Sequence, residues 1–332
     1  MKILTDMMQP KPLTFTLLKK ISDAEFHSGE ILARQLGVSR SSVSNALRGI
    51  EQLGLTLNSV RGRGYQLMNP PQWLDAQRIT ACLPEQHHLK IEILESTPSS
   101  NTLLLQRATA GASSGSVLAV EWQAAGRGRF GRVWHAALGN SLTFSVLWRF
   151  QFGLSGLSGL SLVAGMALVR VLRKLGATDV GLKWPNDVVT SQGKLAGILI
   201  EAQGDMLGPS AVVIGMGLNL RLPLSLMRQI DQPVSDLTHV LSRVPERNQL
   251  FALLLQELAG LLMQFGKHGF APLRDEWESL HQYQNCPVKI LRPDGVQVTG
   301  IARGVTDGGA LRIETQQGIE EFNAGEISLR EA

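Results

Sequence analysis

Cysteine is nearly absent: 332 residues contain only Cys82 and Cys286, far apart and outside any CxxC. A disulfide framework and a structural zinc site are therefore both unsupported. Aromatic residues make up 5% of the chain and charged residues 18%, against 44% hydrophobic. That balance describes a globular chain long enough for two or three domains, not a disordered one. The first residues, MKILTDMMQP, carry neither an apolar h-region nor a small-residue cleavage site, so no signal peptide is expected. One uncharged run of 20 residues separates Arg149 from Arg170, but seven of them are Gly or Ser. Its length would permit a membrane span. A buried helix after a glycine-rich loop fits the same residues, and a cytoplasmic protein without a membrane partner is the expectation. No Ser-His-Asp or Cys-His pattern offers a side-chain nucleophile.

What is present begins with an uneven distribution of charge. Residues 1–68 hold nine Lys/Arg and five Asp/Glu, an excess of four that equals the net +4 of the whole chain. Such an end suits nucleic acid. Within it, "EFHSGEILARQLGVSRSSVSNALRGIEQLGLTL" predicts a helix capped by Ser28 and ended at Gly37, then a second capped by Ser39 with Val43, Ala46, Leu47 and Ile50 on its apolar stripe. "TLNSVRGRGYQL" predicts a hairpin. Ala33, Gly37 and Val43 have helix-turn-helix spacing. Arg40, Ser41, Ser42, Ser44, Asn45 and Arg48 are then candidates for phosphate and major-groove contact, with Arg61 and Arg63 on a wing. A helical protein-interaction domain with a solvated basic face is the alternative; charge, spacing and wing together favour DNA. One such unit makes few phosphate contacts, so a dimer on two half-sites is expected.

Pro70 and Pro71 break the chain. From Leu89 to about Phe270, strand-like runs (LKIEIL, SVLAVEW, NSLTFSVLW, GLKWPNDVVT, KLAGILIEA, SAVVIGMGLNL) mix with helical ones (NTLLLQRAT, SLVAGMALVRVLRKLG, NQLFALLLQELAGLLMQFG). This predicts an α+β or α/β unit on one sheet. The last fifty residues show five short strands with turn signals at PDG, DGG and QQG, the pattern of a small barrel. The expected domains are 1–69, 70–280 and 281–332.

The segment "WQAAGRGRFGRVW" sets Arg127, Arg129 and Arg132 among Gly126, Gly128 and Gly131 with no acid. Like charges repel and glycines are costly to order, so an anion is the expected counterpart. An RNA-contacting loop or a solvated turn would use the same residues. Three further motifs weigh against that: LKWPNDV with Lys183, Asn186 and Asp187; GKLAGILIE with Lys194 beside small Ala196 and Gly197; and GMGLN with Gly215, Gly217 and Asn219. A triphosphate, or a carboxylate becoming an acyl phosphate, would reward such an arrangement.

GRGRFGR, KWPND, KLAGILIE and GMGLN, in this order after a helix-turn-helix, resemble the bifunctional biotin–protein ligases that also repress biotin operons. The resemblance spans essentially the whole chain. It implies a multidomain α+β protein with a winged helix-turn-helix, a mixed-sheet catalytic domain related to class II aminoacyl-tRNA synthetases, and an SH3-like C-terminal barrel. It implies biotin and ATP-Mg²⁺ as substrates, biotinyl-5′-adenylate as intermediate, and a lysine of the biotin carboxyl carrier domain of acetyl-CoA carboxylase as acceptor. It also implies ligand-dependent homodimers on the operator of biotin synthesis genes.

Residue by residue, the resemblance gives Arg127 and Lys194 catalytic roles. Gln123, Arg127, Gly128, Arg129, Lys194 and Gly197 fall on the biotin side; Gly126, Arg129, Arg132, Trp134, Asn186, Asp187 and Asn219 fall on the nucleotide side. In place of a compact Ser-Thr-Asn the chain has "ESTPSSNTLLL". Spacing to Gln123 favours Ser99, Ser100 and Asn101 as the biotin contacts, with Ser96 and Thr97 as the alternative. No protein ligand for the magnesium is implied. A glycine–arginine loop that orders around its ligand would protect the adenylate from water, and residues 221–236 are a second candidate cover. The rivals are a lipoate–protein ligase of the same fold, a repressor that senses a small anion without turnover, and a ligase whose winged helix no longer regulates.

Overall fold

The computed structural model describes residues 10–291, 296–323 and 328–331, the last by backbone alone. The leader expectation (residues 1–9) and the PDG turn (293–295) lie outside the described residues.

The first region is three helices and a hairpin: α1 Pro12–Lys20, α2 Gly29–Leu36, α3 Arg40–Leu47, β1 Leu57–Val60 and β2 Gly64–Leu67. Gly37 ends α2 in the left-handed region, and the Ser39 hydroxyl accepts from the Ser42 amide at 3.0 Å to start α3. One expected cap does not form. Ser28 occupies the N-cap position of α2, but its side chain accepts no capping hydrogen bond. Ala33, Val43, Ala46, Leu47 and Ile50 are buried, although Ile50 sits in a 3₁₀ turn beyond the end of α3.

The central region follows as α4 Ala76–Ala81, β3 Lys90–Thr97, α5 Ser100–Thr109, β4 Ser116–Gln123, β5 Ser141–Phe150, α6 Leu160–Lys174, β6 Gly181–Lys183, β7 Asp187–Thr190, β8 Gly193–Gly204, β9 Ser210–Asn219, α7 Leu224–Met227, α8 Arg247–His268 and α9 Arg274–Leu280. Its seven strands run in the order β3-β4-β5-β9-β8-β7-β6, parallel only between β3 and β4. Where GLKWPNDVVT predicts one strand, two short ones form a hairpin around Trp184–Asn186. Both sheet faces are covered, which is why SVLAV reads as a continuous apolar run. Val117 and Ala119 of β4 face the core under α6 and α8; Leu118 and Val120 face α5.

The uncharged run before Arg170 becomes a 3₁₀ turn and then α6, with eleven buried residues. Leu154–Lys174 and Arg247–His268 are long and apolar enough to cross a membrane. In the fold both supply the side chains that fill the main core.

The C-terminal strands are β10 Pro287–Leu291, β11 Gln297–Val305, β12 Leu311–Thr315, β13 Gly318–Phe322 and β14 Ser328–Glu331. They form an antiparallel sheet in the order β13-β12-β11-β10-β14. Val288, Ile290, Ala302 and Ile313 of this sheet continue the central core through Trp277 and Leu280. The loop after β11 also reaches back, where Gly309 O accepts from the Trp184 indole at 3.1 Å.

The first region shares its core as well. Trp122 and Leu138 of the central region are buried in one cluster with Phe15, Leu18, Val43 and Leu53. The connecting segment is held in place: Leu74 N donates to Glu121 at 2.7 Å, and Asp75 N to Asn248 at 2.7 Å. Glu121 forms a fully buried ion pair with Arg247, whose guanidinium also donates to Gln72 O and Ser141 O. Burying two charges is costly unless their remaining hydrogen bonds are made. Here Nη1 and Nη2 find partners in the connecting segment and the sheet, while the buried Arg247 Nε has none among the described residues.

Candidate functional site

A cleft with an empty volume of about 1020 Å³, including its open mouth, lies between the start of α5, the 126–134 loop, the β6–β7 turn and the ends of β8 and β9. Strand alternation builds its floor. On β9, Val212, Ile214, Met216 and Leu218 enter the main core, which turns Gly215 and Gly217 to the opposite face. A Cβ at Gly215 would lie 2.2 Å from Asn101 Oδ1, and one at Gly217 would lie 2.2 Å from Trp134 Cε2. The two glycines are therefore clearances for these side chains.

The expected residues converge here. Ser99, Ser100, Asn101, Gln123, Arg127, Gly128, Arg129, Arg132, Trp134, Asn186, Asp187, Lys194 and Gly197 all line the cleft. Ser99 caps α5 by accepting from Thr102 N, and Ser100 N donates to Gln123 Oε1 at 2.6 Å. Ser96 and Thr97 stay on β3, outside the lining.

Gly126 and Asn219 are also outside it. Gly126 O accepts from Trp134 N at 2.8 Å and closes the loop. Asn219 is buried and donates to Lys194 O at 3.4 Å and Ser235 O at 3.1 Å. It thus pins the 233–235 segment beside Lys194; Lys194 N donates to Pro233 O and Ser235 N to Lys194 O. Of the expected cover 221–236, Gln232 reaches the cleft.

Each principal cation has a local counterpart. Lys194 Nζ lies 2.7 Å from Asp187 Oδ1, as a close charge contact without hydrogen-bond alignment. The same ammonium lies 5.8 Å from the Trp134 ring centroid. Arg127 pairs with Glu201 at 3.0 Å. Arg129 donates to Asn186 Oδ1 at 3.4 Å, and its guanidinium packs 4.8 Å from the Phe130 ring. Burial lowers the Arg129 pKa, Asp187 opposes that, and Arg132 adds to it. Burial also lowers the pKa of His135, against the pull of Asp231, so the residue after Trp134 favours its neutral form. Lys183 also lines the cleft, which leaves five cationic side chains against one carboxylate, Asp187, in the lining. Such a cleft is built for an anion. Among the described residues no three His, Cys, Asp or Glu side chains gather as a metal cage.

Residue reasoning did not single out Glu201, Thr102 or Ser145. The Ser145 hydroxyl, fully buried on β5, lies 2.7 Å from Ser100 Oγ and 2.6 Å from Asn101 Oδ1. A lone serine inside the apolar run TFSVL was the available signal. Glu201 closes the KLAGILIE motif itself.

On the first region, Arg40, Ser41, Asn45, Arg48, Arg61 and Arg63 are exposed. Ser42 and Ser44 are half-buried, and the Ser42 hydroxyl is 2.9 Å from Ser39 Oγ, engaged in the cap. Arg63, in the turn between the wing strands, packs 4.0 Å over the Phe26 ring.

Three family models match this chain. The Biotin/lipoate A/B protein ligase family matches residues 93–219, the Biotin protein ligase C terminal domain residues 285–330, and an HTH domain residues 14–66. The Bifunctional ligase/repressor BirA of Escherichia coli (strain K12) is 36% identical over 329 residues, 98% of this chain and 99% of that protein. The Biotin--[acetyl-CoA-carboxylase] ligase of Mycobacterium tuberculosis is 33% identical over 243 residues, 72% of this chain and 88% of that protein. Among solved structures, a biotin protein ligase from Aquifex aeolicus in complex with biotin and ATP superposes with a TM-score of 0.62 at 26% identity, covering 73% of this chain and 99% of that one.

Proposed function

This chain belongs to the bifunctional biotin ligase/repressor family, and on that premise we propose that it joins biotin to AMP, transfers the biotinyl group to a protein lysine, and represses transcription when loaded with the adenylate. The observation that carries the reading is that Lys194, Arg127 and Arg129 line one cleft together with the polar start of α5.

In the first step the biotin carboxylate attacks the α-phosphate of ATP and pyrophosphate leaves. Ser99, Ser100, Asn101 and Gln123 lie at the end suited to an uncharged polar ring. In this reading Arg127 and Lys194 neutralise the two anions as they meet, and their charge counts for more as negative charge builds on the phosphorus. Asp187 holds the Lys194 ammonium in place before any ligand does so. Magnesium belongs to this reading as the companion of ATP and would supply further positive charge against the phosphates. Trp134, Asn186 and Arg132 line the nucleotide side. In the second step an acceptor lysine amine attacks the acyl carbon of the mixed anhydride, AMP leaves, and an amide forms.

The acceptor is the biotin carboxyl carrier domain of acetyl-CoA carboxylase. The DNA partner is the operator of biotin synthesis genes, read by α3 with the wing on the backbone. The adenylate-loaded chain binds as a homodimer, and the two binding events favour each other reciprocally. The protein works in the cytoplasm, and its domains are 1–69, 70–280 and 281–332.

Transfer of labelled biotin to a carrier-domain lysine tests the enzyme. Lipoate-dependent but not biotin-dependent pyrophosphate exchange would assign the other ligase of this fold; binding without turnover would leave only a sensor. A gel shift on the chain's own biotin-gene promoter, with and without biotin plus ATP, tests the repressor.

A further inference from the structure

Arg127 is 44% exposed at the rim of the cleft, on a loop of glycines and arginines, and an isolated guanidinium there would sample many rotamers. The structure holds it from one side only. Its Nη2 donates to Thr102 Oγ1 at 2.8 Å and to the two Glu201 oxygens at 3.0 and 3.1 Å. Its Nε and Nη1 make no hydrogen bond to the described residues and remain for an anion.

Glu201 reaches a second group as well. Its Oε2 accepts from Asn101 Nδ2 at 2.9 Å, while Asn101 Oδ1 accepts from Ser145 at 2.6 Å. Asn101 is 4% exposed, so this carboxylate satisfies an amide that has little access to water. Glu201 thus projects from the rigid strand β8 and ties two separate walls of the cleft, the start of α5 and the arginine loop, to the sheet.

We propose that Glu201 is the positioning residue of the biotin end of the cleft: its carboxylate aims the Arg127 guanidinium at the substrate carboxylate while locking the Asn101 amide. This rests on the ligase reading. It adds a residue that does not touch the reacting atoms and acts through one that does. The cost of ordering Arg127 is met before substrate arrives, which is the physical content of preorganisation.

The test is biotin-dependent pyrophosphate–ATP exchange by the full-length protein, with KM for biotin and for ATP measured separately. Glu201→Gln keeps an acceptor for Asn101 and removes the charge that orients Arg127. It should raise KM for biotin about tenfold and leave KM for ATP within about twofold. In an Arg127→Ala background the same substitution should change KM for biotin less than about twofold, since the group it acts through is gone. An equal fold-change in both backgrounds, parallel losses for biotin and ATP, or an unchanged single variant would each overturn the proposal. If thermal melting shows the Gln variant unfolded, Glu201→Asp, which withdraws the carboxylate from both Arg127 and Asn101, should raise KM for biotin with KM for ATP within about twofold, and an unchanged KM for biotin overturns the proposal. No exchange by the wild-type protein would overturn the ligase reading together with this one. Exchange by wild type alongside an unaffected Glu201→Gln overturns this one alone.

Discussion

Two regions of this chain concentrate positive charge, and they hold it differently. In the cleft, Lys194 faces Asp187, Arg127 faces Glu201 and Arg129 reaches Asn186. On α3 and the wing, Arg40, Arg48 and Arg61 are exposed and make no ion pair among the described residues. A small anion enclosed at short range rewards cations fixed in advance, because each is spared ordering when the ligand binds. A polyanion rewards loose cations, because counterion release does not depend on the placement of any one of them.

Salt should separate the two most widely. Between about 50 and 200 mM salt, binding of the proposed loaded dimer to DNA should weaken by about a thousandfold, while biotin affinity of the cleft should change by less than about threefold. Titrations by fluorescence and calorimetry decide this; equal sensitivity would erase the distinction. Next in size, Lys194→Ala should slow biotin-dependent exchange by about a hundred- to a thousandfold, because the charge at the reacting centre is lost. Near-normal turnover would remove Lys194 from the mechanism. Gly217→Ala should follow: its Cβ would sit 2.2 Å from the Trp134 ring, and overpacking costs about 1–3 kcal/mol. Loss of nucleotide affinity, with DNA binding intact at saturating ligand, is the expected pattern. The smallest effect belongs to α3. Arg40→Ala or Arg48→Ala should each weaken operator binding about tenfold or less and reduce the salt slope by about one, with biotin transfer unchanged.

Much of this was legible in residues because it depends on local pattern. Apolar runs placed the strands of the central sheet, and Ser39 as cap with the Ala33, Gly37 and Val43 spacing placed α3. The glycine-spaced arginines of 126–132 pointed to the cleft. What could not be read depended on partners distant in sequence. The helix-start expectation at Ser28 assumed that residue type alone makes a cap, yet its hydroxyl makes no such bond. Gly215 and Gly217 look like close packing until Asn101 and Trp134 are seen opposite them. Trp122 reads as one more apolar strand residue. Nothing near it in sequence announces that its ring enters a core built mostly from residues 15–67.

That shared core bears on how the chain is made. Synthesis delivers the three helices and the wing well before Trp122 and Leu138, so the first region leaves the ribosome with part of its interior still unmade. Its apolar side stays uncovered until β4 and the segment ahead of β5 have been translated, a wait in which sticky surface invites chaperones. Final consolidation of the N-terminal region is therefore a late event in biogenesis, timed by the sheet rather than by its own helices.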